Sequence, residues 1–287
     1  MTPKSANQSI LITKHVDCLE QHLIQELALN VYTDNAIVKR YSVKHNDKET
    51  LCSNTDIIIS TLGVSLPKET YFDAILRNKK NFYLLEKAKL LETKKIILIV
   101  RPNPSLRNDT QYQDSKKEFL QALKNSGIAY NIIYVDIIFS DFMPLLNSVC
   151  KNPFLFLCNE KEKYSPIHLK DLARVIINSI KKPSSEIYIK GPETLSKKEI
   201  SVLAYKAFKK KPILITIPSL LLVLKKHFFK LKKEYKKTYY QFHTTEAKTY
   251  SVIEGIALGC FFNNEVRKIE ERSTKVVAKT QPEHINI

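Results

Sequence analysis

SILIT (9–13), AIVKR (36–40), DIIIS (56–60), KKIILIV (94–100) and AYNIIYV (129–135) are short apolar runs, separated by longer segments with a helical period. CLEQHLIQELAL (18–29), YFDAILRNKKNFYLLEKAKLL (71–91) and QYQDSKKEFLQALKNSG (111–127) are the clearest of those segments, the last stopped by Gly127. A strand that is apolar without alternation has both faces out of water, so it needs cover on both sides. Strands of that kind alternating with helices are joined by right-handed crossovers. The pattern predicts an α/β chain built on a doubly wound, parallel, Rossmann-like sheet.

The rhythm changes after about residue 150. HLKDLARVIINSI (168–180) has a helical period, EIYIKG (186–191) reads as a returning strand, and Ser196 is placed to cap the helix that opens KKEISVLAYKAF. The expected division is a Rossmann-like domain of the NAD(P)-binding type over 1–150. A smaller, helix-rich C-terminal lobe packed on it is expected over 151–287, including the strand near 186–191. SLLLVLKKHFFKLKKEYKKTYYQF (219–242) is expected to form a basic amphipathic helix, and the tail from Val266 to be loosely ordered.

The formal net charge is +17, mostly lysine and spread along the chain. Such a surface attracts nucleic acid, anionic membrane or phosphorylated ligands, and the 219–242 segment is the natural place for either macromolecule. The plainer reading is solvated charge, with the apolar face of that helix packed on the protein. Five cysteines without a CxxC, together with the lack of a signal-peptide pattern at MTPKSANQSILIT, fit free thiols in the cytoplasm. No HxxxH or HExxH pair is present, so no metal site is expected. No apolar run approaches the ~20 residues of a transmembrane segment.

DIIISTLGVS (56–65), SKKEFLQALKNSGIAYNII (115–133), FSDFMPLL (139–146), PIHLKDLARVI (166–176) and GPETLSKKEISVLAYKAFKKKP (191–212) occur in this order. In this order they resemble the atypical short-chain dehydrogenase/reductases, in particular the NmrA-like NAD(P)-binding proteins, over roughly residues 9 to 217. The resemblance implies a nicotinamide cofactor in active members, here NADP(H) before NAD(H), and an oxidoreductase activity.

That family's first turn reads TGxxGxxG. At the corresponding positions stand Thr13, Lys14, His15, Val16, Asp17, Cys18, Leu19 and Glu20, so Lys14, Asp17 and Glu20 replace all three glycines. The glycines serve the tight turn, the approach of a diphosphate to backbone N–H groups, and the close helix–strand contact. Asp17 and Glu20 instead read as a capping box that satisfies the helix start with a carboxylate. Thr13, Lys14, Asp17, Arg40 at the end of the second strand and Gly63 after the third are the positions where a dinucleotide would be held. Arg40, with Lys39 beside it, is placed for a 2′-phosphate.

Tyr112 and Lys116 form the YxxxK pair of active reductases, on one helix face after the fourth strand. The same spacing recurs at Tyr83/Lys87 and Tyr205/Lys209. The usual serine partner is replaced by a proline-flanked segment with Ser105 nearest, and the family's Arg-Pro after the fifth strand by Tyr134-Val135. His168 and Asp171 are expected to orient a helix. Three functions stay open: a divergent member with weak or lost cofactor binding and a regulatory or interaction role, through a small molecule or protein partner; an NADP-dependent oxidoreductase or isomerase using Tyr112 and Lys116; and a nucleic-acid or membrane-surface binder.

Overall fold

The computed structural model describes residues 8–14, 17–29, 36–42, 55–64, 70–101, 110–151, 154–157, 163–211, 213–216, 250–252 and 254–280. The basic segment 219–242, Ser105 and the side chains of Lys14 and Asp17 lie outside the described residues. The chain divides into two compact units, 1–136 with 169–190 and 245–253, and 137–168 with 191–244 and 254–287.

The first unit holds a seven-stranded sheet. Its strands are β1 (Ser9–Lys14), β2 (Ile37–Ser42), β3 (Ile57–Val64), β4 (Lys95–Arg101), β5 (Ala129–Val135), β8 (Ser185–Lys190) and β11 (Tyr250–Val252). Their order is β11-β8-β5-β4-β3-β1-β2, and every pairing is parallel. The reversal at β1 is the doubly wound arrangement that the apolar runs predict, and the strands are apolar throughout because both sheet faces are covered. In β4, six successive residues from Lys95 to Val100 are buried.

Helices α2 (Tyr71–Leu90) and α3 (Thr110–Lys124) pack their apolar sides on one face, where Leu84, Leu85, Ala88, Phe119 and Leu123 meet Leu98 and Ile132. The pair α1 (Asp17–Leu29) and α5 (Leu169–Asn178) pack side by side. A true capping box starts α2: Thr70 Oγ1 accepts from the Asp73 amide at 3.2 Å, and the Asp73 carboxylate accepts from the Thr70 amide at 3.0 Å.

The second unit contains α4 (Met143–Lys151), β6 (Phe154–Leu157), β7 (Lys163–Tyr164), β9 (Leu195–Ser196), α6 (Lys197–Ala207), β10 (Ile213–Thr216) and α7 (Leu258–Thr280). Ser196 is the N-cap of α6, as its position predicts, with Glu199 closing the capping box. The expectation of a loose tail from Val266 is overturned as far as Thr280, to which α7 continues; the last seven residues lie outside the described residues. Leu258, Phe262 and Val266 are buried at four-residue intervals, a helical seam that docks the segment against α6 and α4.

Candidate functional site

The ends of β3 and β4 shape the site. Ser60 pairs with Leu98 but Gly63 pairs with Val100, so β3 carries one residue more than β4 across this interval. A bulge of this kind takes backbone groups out of the ladder and gives them other partners. Thr61 is held by β1: its amide donates to Thr13 Oγ1 at 2.8 Å and its hydroxyl to the Thr13 carbonyl at 2.8 Å. The freed Leu62 carbonyl accepts from Arg77 Nη1 at 2.5 Å and from Asn81 Nδ2 at 3.4 Å. Gly63 follows because β3 returns hard against β4, where an added Cβ would stand 2.2 Å from the Ile99 carbonyl oxygen.

A narrow crevice of about 20 Å³, room for little more than a water molecule, lies over this bulge between α2 and α3. Gly63, Arg77, Asn81, Val100, Tyr112 and Lys116 line it. Asn78 Nδ2 locks the two helices together by donating to the Ser115 carbonyl at 2.8 Å and to Ser115 Oγ at 2.5 Å. Tyr71 adds a hydroxyl bond to Gln111 Oε1 at 2.6 Å. Asn81 is buried, and its Oδ1 has no hydrogen-bond partner. An unpaired buried acceptor costs about 1–3 kcal/mol, so the crevice keeps a polar group ready for a donor.

Tyr112 and Lys116 therefore do share one crevice. Tyr112 is buried and Lys116 half-buried. Burial first, and the Arg77 guanidinium second, push the Lys116 amine down to about 8. Near pH 7 it stays mostly protonated; above pH 8 it becomes a neutral base. The unfolded chain keeps that proton up to the usual lysine value of about 10.4, so the lysine's contribution to stability rises with pH between those limits. Lys116→Met is expected to raise stability at pH 7 by about 1–2 kcal/mol, discounted for partial exposure, and to flatten the pH dependence above 8. Chemical denaturation across pH 6–10 checks this; equal slopes in both proteins would contradict the burial argument.

The other YxxxK pairs do different work. Lys87 Nζ lies 5.7 Å from the centre of the Tyr83 ring on the outer side of α2, and Tyr205 is fully buried in the second unit. His168 packs edge-on to Phe139 and Phe261, at ring-centre distances of 5.5 and 5.8 Å. Asp171 is buried, with Arg174 Nη1 at 3.5 Å. Tyr134, where the resemblance implies an Arg-Pro pair, stacks on Tyr188 with ring centres 4.2 Å apart and donates its hydroxyl to Glu186 at 2.9 Å.

At the first turn, α1 starts at Asp17, and the capping box expected of Asp17 and Glu20 involves a side chain that lies outside the described residues. Glu20 is buried and its carboxylate meets Arg40 Nε of β2 at 3.1 Å. Arg40, placed for a 2′-phosphate, is thus already engaged by a carboxylate. Thr13 is fully buried, with its hydroxyl taken up by Thr61. Gly63 is accounted for by strand contact. Lys14 and Asp17 remain expectations. A buried glutamate occupies the third glycine position of the TGxxGxxG turn, where a Rossmann-type dinucleotide site has close helix–strand contact.

Arg77, Asn78 and Asn81 did not stand out as site residues in the sequence. Their signal was there: Ala74, Arg77, Asn81, Leu84 and Ala88 follow a three- and four-residue spacing, which puts Arg77 and Asn81 on the buried stripe of α2.

No protein-family model and no curated protein sequence matches the chain. Solved structures do match its fold. A nucleoside-diphosphate-sugar epimerase from Staphylococcus aureus is 15% identical with a TM-score of 0.60, over 89% of this chain and 100% of that one. A Citrobacter sp. triphenylmethane reductase, solved with NADP(H), is 12% identical with a TM-score of 0.57, over 73% of this chain and 79% of that one. An Escherichia coli NADPH-dependent quinone oxidoreductase, solved with NADPH, is 14% identical with a TM-score of 0.56, over 77% and 83%. The chain has the α/β Rossmann-like fold of these epimerases and reductases. No described helix is long and apolar enough to cross a membrane.

Proposed function

We propose that the chain is a divergent protein of the NAD(P)-dependent reductase and epimerase fold in which dinucleotide binding is weakened or lost, and that it acts in the cytoplasm through a regulatory or interaction role. The observation that carries this reading is the pairing of buried Glu20 with the exposed Arg40. One carboxylate fills the glycine position that a diphosphate needs, and it also occupies the cation suited to NADP(H). A carboxylate beside a diphosphate costs on the order of 1–4 kcal/mol. Free, exposed Cys150 and Cys260 fit a reducing compartment.

The test is titration with NADPH and NADH, followed by calorimetry. Wild-type protein is expected to bind neither more tightly than about 100 μM. Glu20→Gly removes the carboxylate and frees Arg40, so it is expected to gain at least about tenfold in NADPH affinity, with a smaller gain for NADH. Micromolar binding by the wild type would sink the proposal.

A second reading, an oxidoreductase or isomerase working through Tyr112 and Lys116, is favoured by their common crevice and by the lowered amine of Lys116. Tyr112 would carry the proton and Lys116 would set its acidity. Wild-type micromolar NADPH binding, with turnover abolished in Tyr112→Phe, would establish that reading. A nucleic-acid or anionic-membrane role rests on the net charge of +17 and the basic sequence of 219–242, and predicts polyanion binding that falls steeply with salt.

A further inference from the structure

Arg77 of α2 and Lys116 of α3 line one narrow crevice, and no carboxylate among the described residues lines it with them. Tyr112 is the one other titratable group of that lining; the sheet beneath contributes only Gly63, Leu98 and Val100. Arg77 is buried and fixed by its bond to the Leu62 carbonyl, so its charge stays in place. Two like charges in a desolvated crevice are costly, and the amine is the one that can give up a proton, since a guanidinium does not. Held down to about 8, the Lys116 amine is neutral in roughly a tenth of the molecules at pH 7, about 200-fold more than an ordinary lysine. Asn81, in the same crevice, is buried with an Oδ1 that has no partner, an acceptor open to a further N–H.

We propose that Lys116 is a site of reversible carbamylation: its amine takes up carbon dioxide, and the carbamate so formed serves as counter-ion to Arg77. The size of the crevice selects the reagent. Room for little more than a water molecule excludes acyl and carbonyl compounds that carry a chain. Carbon dioxide, uncharged and three atoms in line, is the smallest carbon electrophile. The neutral Nζ gives its lone pair to the carbon and a C–N bond forms. One C=O electron pair moves to oxygen, and Nζ releases one proton to water. No oxidant or further reactant is consumed. Two positive charges become one positive and one negative, so Arg77 gains an opposite charge in place of a like one. The carbamate keeps one N–H, the donor that suits Asn81 Oδ1. Acid reverses the step, because the amine then reclaims its proton and carbon dioxide leaves.

Equilibration of the full chain at pH 8 with carbon-13 bicarbonate tests the proposal. Carbamates are trapped by ethylation with a trialkyloxonium salt and located by peptide mass spectrometry. The label on Lys116 is expected to exceed that on its exposed neighbour Lys117 by about tenfold or more. Lys116→Arg keeps the positive charge and is expected to lose the label. Arg77→Gln keeps a donor for the Leu62 carbonyl but no charge, and is expected to lower the label on Lys116 by about tenfold. Bicarbonate with carbon dioxide is expected to raise the melting midpoint of the wild type by about 2–4 °C and to leave that of Lys116→Arg unchanged. A label on Lys116 no higher than on Lys117, a label indifferent to Arg77→Gln, or an equal midpoint rise in sodium chloride of the same ionic strength would each overturn it.

Discussion

Gly63→Ala is expected to destabilise the protein by roughly 2–4 kcal/mol and to deform the crevice that holds Tyr112 and Lys116. The new Cβ would stand 2.2 Å from the Ile99 carbonyl oxygen and 3.2 Å from the Val100 Cα. Neither is the end of a flexible side chain, so β3 must move off β4 as a strand. That motion breaks the Gly63–Val100 pairing and shifts the Leu62 carbonyl, on which Arg77 and Asn81 both depend. The Arg77 guanidinium then loses its buried acceptor. The contrast is Gly127, which has a φ of +78° but no atom within 4 Å of an added Cβ. Alanine there meets only the left-handed backbone penalty of about 1–2 kcal/mol. Urea denaturation of the two variants, read as midpoint shifts at constant m-value, checks the ordering. If Gly63→Ala melts with the wild type, β3 and β4 do not approach as closely as described.

The doubly wound sheet was legible because its strands are buried on both faces, which writes itself as unbroken apolar runs: β4 and β5 fall within a residue of KKIILIV and AYNIIYV. The cap at Ser196 was equally plain, since a serine three residues before a glutamate and ahead of an apolar period has few other uses. Long-range pairings were less visible. Asp17 and Glu20 show the same local pattern as Ser196 and Glu199, but that pattern says nothing of the pairing of Glu20 with Arg40, twenty residues away in β2. Only the parallel register of β1 and β2, which sets Ile12 beside Arg40, brings them together. Gly63 shows the same limit. A glycine after a strand suits a ligand or a bulge alike, and the bulge is visible only once β4 lies alongside. Burial decided the tail: Phe262 and Val266 need a docking partner to order α7, and that partner is elsewhere in the chain.

Lys95→Met is expected to cost about 3–4 kcal/mol, the largest effect among substitutions outside the crevice. Lys95 opens β4 and is 7% exposed. Its ammonium donates to the carbonyls of Ser179 and Ile180, each at 2.9 Å, and to that of Lys182. These carbonyls belong to the end of α5 and the turn after it, where helix geometry leaves acceptors without partners and the dipole favours a cation. Burial holds the amine below the usual lysine range, so the charge persists there only because three oxygens offset its desolvation. Methionine keeps the stem and its packing but offers no donor, so the Ile180 and Lys182 carbonyls lose the ammonium while that of Ser179 keeps only the Lys182 amide at 3.1 Å. The damage should be local first. Amide exchange is expected to rise at Ser179, Ile180 and Lys182, before the rest of the sheet responds. Lys95→Arg distinguishes charge from shape: it keeps the donors but forces a planar fork into a site built for a point cation, so it should recover only part of the loss. Full recovery by methionine, with unchanged exchange at the end of α5, would mean that Lys95 does not hold the helix end.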